Sequence, residues 1–175
     1  MNTKNTILCI LALPMVVFFV ACKKKQLEPE LITTVKIDCK LGDSIVGSFV
    51  WSDPDGDGGN PPLTVDTIKI DSGVTYQCYL SFEDRSFTPL KNITEEIKDN
   101  GSDHMICFTA AGALLNIVYK DSDGKYGIGL ISEWKPLSKG IGSLRLILRH
   151  QPGIKDGSCD PGESDVDVVF PLLVK

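Results

Sequence analysis

The stretches Ser143-Leu144-Arg145-Leu146-Ile147-Leu148-Arg149-His150 and Asp165-Val166-Asp167-Val168-Val169-Phe170-Pro171-Leu172-Leu173-Val174 decide the fold. Leu144, Leu146 and Leu148, and then Val166, Val168, Phe170 and Leu172, occupy every second position. A period of two places them on one face of a strand and turns the intervening Arg and Asp residues to the other. Outward from these stretches the same period recurs. Val35, Ile37 and Cys39 alternate with Thr34, Lys36 and Asp38, and Ser44 to Trp51 follows across Leu41-Gly42-Asp43. Val74, Tyr76, Cys78, Leu80 and Phe82 form a further face, and Asp71-Ser72-Gly73 predicts a hairpin joining it to Thr67–Ile70. Met105–Thr109, Leu114–Tyr119 and Ile128–Trp134 supply further strands.

A single helical turn is expected over Asn92–Lys98, with Asn92 as N-cap and Glu95 three residues on, the spacing of a capping box. With no alternation of strands and helices, the pattern predicts an all-β, immunoglobulin-like antiparallel β-sandwich of about nine strands with one short helical turn. An open barrel is the competing architecture. The 175 residues suit one domain, and 42 % hydrophobic residues are enough for a packed core, while 16 Gly and 10 Pro call for many turns. A net charge of −5 argues against nucleic acid as a partner.

The first residues determine the address. Thr6 to Val20 is an apolar run too short for a bilayer span, interrupted by Pro14 and closed by Lys23-Lys24-Lys25. The junction Phe19-Val20-Ala21-Cys22 resembles a bacterial lipobox, with Phe19 where Leu is usual. That resemblance implies cleavage before Cys22, a diacylglycerol and palmitate-type acyl chains on Cys22, and stable anchoring, because several chains hold far better than one. The expected organisation is a lipoprotein signal peptide over residues 1–21, a lipidated tether over 22–31 and a β-sandwich over 32–175. Lys23 in place of the Asp of inner-membrane retention implies the outer membrane. The basic run in place of an acidic export tag implies a periplasm-facing position.

Four stretches, WSDPDGDGG (51–59), NITEEI (92–97), LRHQP (148–152) and GESDVDVVF (162–170), resemble a family of small lipoproteins of Bacteroidota. Members are filed under a type 1 periplasmic-binding fold and are similar to accessory proteins near TonB-dependent receptors. The resemblance implies an outer-membrane receptor as partner. The period-two pattern contradicts the filing, since that fold needs two large α/β lobes.

After Cys9 leaves with the signal and Cys22 is acylated, Cys39, Cys78, Cys107 and Cys159 remain as disulfide candidates in an oxidising compartment. Three pairings are open, and buried free thiols are the alternative. The spacings contain no CxxC, which argues against a zinc cluster.

Asp53-Pro54-Asp55-Gly56-Asp57-Gly58-Gly59 looks like the start of a DxDxDG loop, whose alternate carboxylates converge on Ca²⁺. The bidentate Glu of such a loop is Thr64 here. Asp66, Asp121 and Asp123 are therefore the candidates to complete a metal shell at Asp53, Asp55 and Asp57, and ordinary acidic turns are the competing reading. His104 and His150 are each isolated in sequence, so a shared site requires the fold to bring them together. Trp51 and Tyr76 fit the apolar alternation, whereas Tyr126 and Trp134, beside a Gly-rich loop, are the candidates for exposed sugar-stacking platforms. No nucleophile elbow, HExxH, phosphate-binding loop or dinucleotide fingerprint occurs. The expected function is a non-enzymatic, lipid-anchored envelope protein that binds a ligand or partner. A calcium-stabilised structural or adhesion module is the alternative.

Overall fold

The structure, a computed structural model, describes residues 31–112 and 115–175. The signal peptide, Cys22 and nearly all of the tether lie outside the described residues. Eleven strands are present among them: β1 (Thr34–Leu41), β2 (Ser44–Ser52), β3 (Thr64–Val65), β4 (Ile68–Ile70), β5 (Tyr76–Asp84), β6 (Lys91–Asn92), β7 (His104–Ala111), β8 (Leu115–Tyr119), β9 (Ile131–Pro136), β10 (Gly140–His150) and β11 (Glu163–Val174). They form two sheets. One runs β3-β2-β1-β5-β9-β8 with β6 also on β5, and the other runs β4-β11-β10-β7.

The expected all-β sandwich is what the chain forms. The excess over nine strands comes from short segments such as β3 and β6, two residues each, which carry too little pattern to read. The inward sets read from the sequence are the core: Val35, Ile37, Cys39, Phe82, Leu144, Leu146 and Phe170 are fully buried. Burial of one such large side chain stabilises by about 1.5–3 kcal/mol relative to exposure, so the two inner faces hold the sheets together. The predicted helical turn is α1 (Ile93–Asp99), capped by Asn92 Oδ1, which accepts from the Thr94 N–H at 3.0 Å. Its Ile93 and Ile97 point into the core.

The predicted hairpin over Asp71-Ser72-Gly73 does not form. β4 pairs in parallel with β11, through Ile68↔Leu172 to Ile70↔Val174, and so belongs to the other sheet from β5. The turn crosses between the sheets instead, and Tyr76 Oη accepts from the Asp71 N–H at 2.9 Å. Ile68 and Ile70 are both buried, which a crossing to the facing sheet satisfies as well as a hairpin would.

The strand directions place the long loops at one end. Residues 53–63, 85–103, 120–130 and 151–162 meet there. Contacts tie them: Asp57 Oδ2 accepts from the Asp167 N–H at 3.1 Å, the Ile106 N–H donates to the Ile128 carbonyl at 2.7 Å, and Lys155 Nζ donates to the Gly101 carbonyl at 2.7 Å. The chain enters at the same end, with Leu31 packed against Gly56. The opposite end carries short turns such as Gly42-Asp43.

Candidate functional site

The acidic loop after β2 keeps its three carboxylates busy with its own backbone and with β11. Asp53 is buried, and its Oδ1 accepts from the Asp55 N–H at 3.4 Å. Burial, with Asp55 beside it, raises the Asp53 carboxyl above its ordinary range. Asp55 is held below that range, first by the Asn60 N–H, which donates to Oδ2 at 3.0 Å, and then by Asp53 and the Asn60 amide. Asp57 caps the Asp167 N–H on the free side of β11. That contact occupies a backbone donor that would otherwise stand open on a sheet edge.

The sequence-derived completing ligands do not gather around these three. Asp66 Oδ2 accepts from the Val50 N–H at 2.9 Å, and Asp121 Oδ1 accepts from the Gly129 N–H at 2.8 Å. Asp123 accepts from the N–H groups of Lys125 at 2.8 Å and Tyr126 at 2.7 Å, and from Lys155 Nζ at 2.8 Å. Each carboxylate closes a different turn. Among the described residues, no three His, Cys, Asp or Glu side chains form a group set to hold a metal ion.

The Asp123–Lys155 pair is the electrostatic centre of the loop end. Its side chains are only 9 % and 3 % exposed. The Lys155 ammonium, ahead of the Tyr126 and Lys125 N–H groups, lowers the Asp123 carboxyl to about 2. Lys155 also reaches the Gly101 carbonyl, so one ammonium joins three loops. The pair forms a wall of an open depression of about 370 Å³ that is also lined by Ser102, Asp103, Lys125 and Tyr126. Tyr126 packs against Gly157, whose φ of +90° and missing Cβ both matter: a Cβ there would stand 2.6 Å from the ring. Lys125 Nζ sits 4.6 Å from the same ring's centroid.

Beside this depression the fold brings the two histidines together. His104 and His150 are register partners across β7 and β10, with rings stacked 4.9 Å apart and 5° from parallel. Asp165 completes the group: its carboxylate stands 3.8 Å from His104 Nε2 and 3.9 Å from His150 Nδ1. The pairing of β10 with β11 shifts between Leu148 and Arg149, from Leu148↔Val166 to Arg149↔Ser164, so Asp165 is the extra residue of a bulge. A regular strand would turn Asp165 away from the face of Val166, and the bulge re-aims it.

The Asn100 carbonyl sits 3.0 Å from His104 Nδ1, which makes that nitrogen the N–H donor and leaves Nε2 bare toward Asp165. Burial lowers the His104 imidazole below its ordinary value, against the opposing pull of Asn100 and Asp165. Burial likewise raises Asp165, with the two histidines acting the other way. Because the ring planes are nearly parallel, the two rings do not converge on one shared ion, and the carboxylate at 3.8 and 3.9 Å acts on them through its charge rather than through a hydrogen bond. Sequence reading missed Asp165, since neither the bulge nor the strand register that pairs the histidines leaves a local signal.

Of the three open cysteine pairings, Cys107–Cys159 is formed, with Cα atoms 6.0 Å apart. It pins the 151–162 loop over the outer face of β7 and β10, where Arg149 Nε also donates to the Cys159 carbonyl at 2.9 Å. Cys39 and Cys78 are free thiols in the core. Trp51 and Tyr76 are buried as expected. Trp134 is not a platform: it is fully buried, donates from Nε1 to Ser132 Oγ at 2.8 Å, and meets Phe108 edge-on. Ser132, a polar residue at an inward position, hides the alternation, and the indole N–H is what satisfies its hydroxyl.

Set against known protein families, curated proteins and solved structures, the chain matches none.

Proposed function

We propose that this chain is a non-enzymatic, lipid-anchored protein of the outer membrane that binds a membrane-embedded partner through the loop-bearing end of its sandwich, as an accessory to a TonB-dependent uptake receptor. The address rests on the lipobox-like Phe19-Val20-Ala21-Cys22, and the receptor on the resemblance to lipoproteins of Bacteroidota. The observation that carries the reading is where the chain enters the sandwich. Leu31 packs at the end where the four long loops converge. The nine residues 23–31 span at most about 30 Å even when fully extended. An acylated Cys22 would therefore keep the loop end within that distance of the bilayer, where a receptor's periplasmic face lies.

The chemistry of that end suits a protein partner. The depression beside Asp123 and Lys155 is open, and it presents one aromatic ring, two lysines and two carboxylates in place of a deep enclosed pocket. Tyrosine is among the residues that most often anchor protein recognition. The test is affinity purification from detergent-solubilised membranes of the source cell, comparing wild type with Tyr126→Ala. Recovery of a β-barrel receptor with wild type and its loss with Tyr126→Ala is the expected result. A wild-type eluate free of integral membrane proteins would overturn the proposal.

A further inference from the structure

Cys39 and Cys78 stand directly opposite one another on β1 and β5, both completely buried. Their kind of pairing follows from the backbone. Val50 exchanges both of its backbone bonds with Asp66, its N–H donating to Asp66 Oδ2 and its carbonyl accepting from the Asp66 N–H at 2.9 Å each, so Val50 faces away from β1; its register partner Lys36 then faces β5, and the alternating Val35, Ile37 and Cys39 face β2. The Leu80 N–H donates to the Leu130 carbonyl at 2.9 Å, so Leu80, and with it Cys78, faces away from β1. Cys39↔Cys78 is thus a non-hydrogen-bonded pair, the type in which Cα atoms approach to about 4.5 Å and side chains lie closest. That spacing falls inside the range a disulfide spans. The same chain carries a closed disulfide at Cys107–Cys159, so it is built to fold in oxidising conditions.

We infer that Cys39 and Cys78 form a second, cross-strand disulfide that closes while the chain folds. Both thiols are completely buried in the finished fold, so the bond closes while they are still reachable, with Cys39 taken as the first to react. The Cys39 thiolate attacks a sulfur of an external disulfide, either glutathione disulfide or an oxidoreductase cystine, and expels one thiolate. The Cys78 thiolate then displaces the second. The two cysteines lose two electrons and two protons, and the external disulfide becomes two thiols. In the finished fold, burial pushes the Cys78 thiol well above its ordinary value, so exchange belongs to the open chain.

The experiment uses the full chain with Cys9→Ser and Cys22→Ser, reduced and unfolded, then refolded in a mixture of oxidised and reduced glutathione. The sample is alkylated under denaturing conditions and mapped by peptide mass. Closure of Cys107–Cys159 in the same sample reports that folding took place. The expected result is a Cys39–Cys78 linked peptide, two hydrogens lighter than the dithiol and unlabelled until reductant is added. Alkylation of both Cys39 and Cys78 beside a closed Cys107–Cys159 overturns the inference, as does a bond from either one to Cys107 or Cys159. Neither outcome depends on the anchor or on the receptor.

Discussion

Lys155→Met should cost about 3 kcal/mol or slightly more, a large share of the stability of a domain this size. The magnitude follows from burial. Lys155 and Asp123 are 3 % and 9 % exposed and 2.8 Å apart, so removing one partner leaves the other mostly buried and without its counter-charge. A methionine at this position would leave the carboxylate with the Lys125 and Tyr126 N–H groups and would leave the Gly101 carbonyl without its donor. Asp123→Asn would leave the ammonium with Gly101 alone, at a similar cost. The double variant should fall short of the sum by about 1–3 kcal/mol, since the second change removes a group the first had already stranded.

Urea unfolding at neutral pH measures all three variants. With a slope of about 2 kcal/mol per molar, each single change lowers the midpoint by about 1.5 M. An acid arm sharpens the test. Asp123 lies near 2 in the folded chain against 3.8 when unperturbed, so its contribution is fully present above 3.8 and is lost as pH falls through about 2. The gap between wild type and Lys155→Met should therefore hold down to about pH 5 and narrow between about pH 4 and 2. Single variants that each lose less than about 1 kcal/mol, with an additive double, would show that the pair is not energetically coupled.

Two further outcomes follow from the same end of the sandwich. His104 is lowered from 6.5 by burial, so its stabilising effect is complete above 6.5 and is lost as pH falls through the lowered value; His104→Gln should flatten the stability profile below 6.5, and equal slopes for the two proteins would contradict the assignment. Asp165, raised by burial, works in the opposite sense as pH falls further, so the comparison is made over the first part of the fall below 6.5. Replacing both Cys107 and Cys159 by Ser opens a loop of 52 residues, for which chain entropy gives about 4 kcal/mol. A calorimetric melting temperature lower by about 10 °C is expected, and a drop under about 3 °C would show that the bond constrains little.

The parts of this fold legible in the sequence are those where one face of a strand is uniformly apolar. Leu144-Leu146-Leu148 and Val166-Val168-Phe170-Leu172 are readable because the facing sheet demands every one of them. β4 cannot be paired from its sequence, because two inward isoleucines in three residues fit either neighbour, and its parallel partner lies a hundred residues away. Trp134 reads as a surface platform because the inward position before it holds Ser132. The candidate site is the least legible part. His104 and His150 meet only through the register of β7 on β10, and Asp165 joins them through a bulge. The acidic loop is visible as composition, yet the use of its carboxylates is not, because backbone N–H partners such as those of Asn60 and Asp167 are set by the folded path of the chain.

The proposed lipid anchor at Cys22 would hold the sandwich at a membrane with its loop end toward the bilayer. Mass spectrometry of the protein extracted from envelopes reads that anchor. The expected result is an N-terminal peptide that begins at Cys22 and carries a thioether-linked diacylglycerol with its acyl chains, and a Cys22→Ser protein that is unacylated and leaves the membrane fraction. An unmodified Cys22 in wild-type protein, or a Cys22→Ser protein that stays membrane-bound, would contradict it.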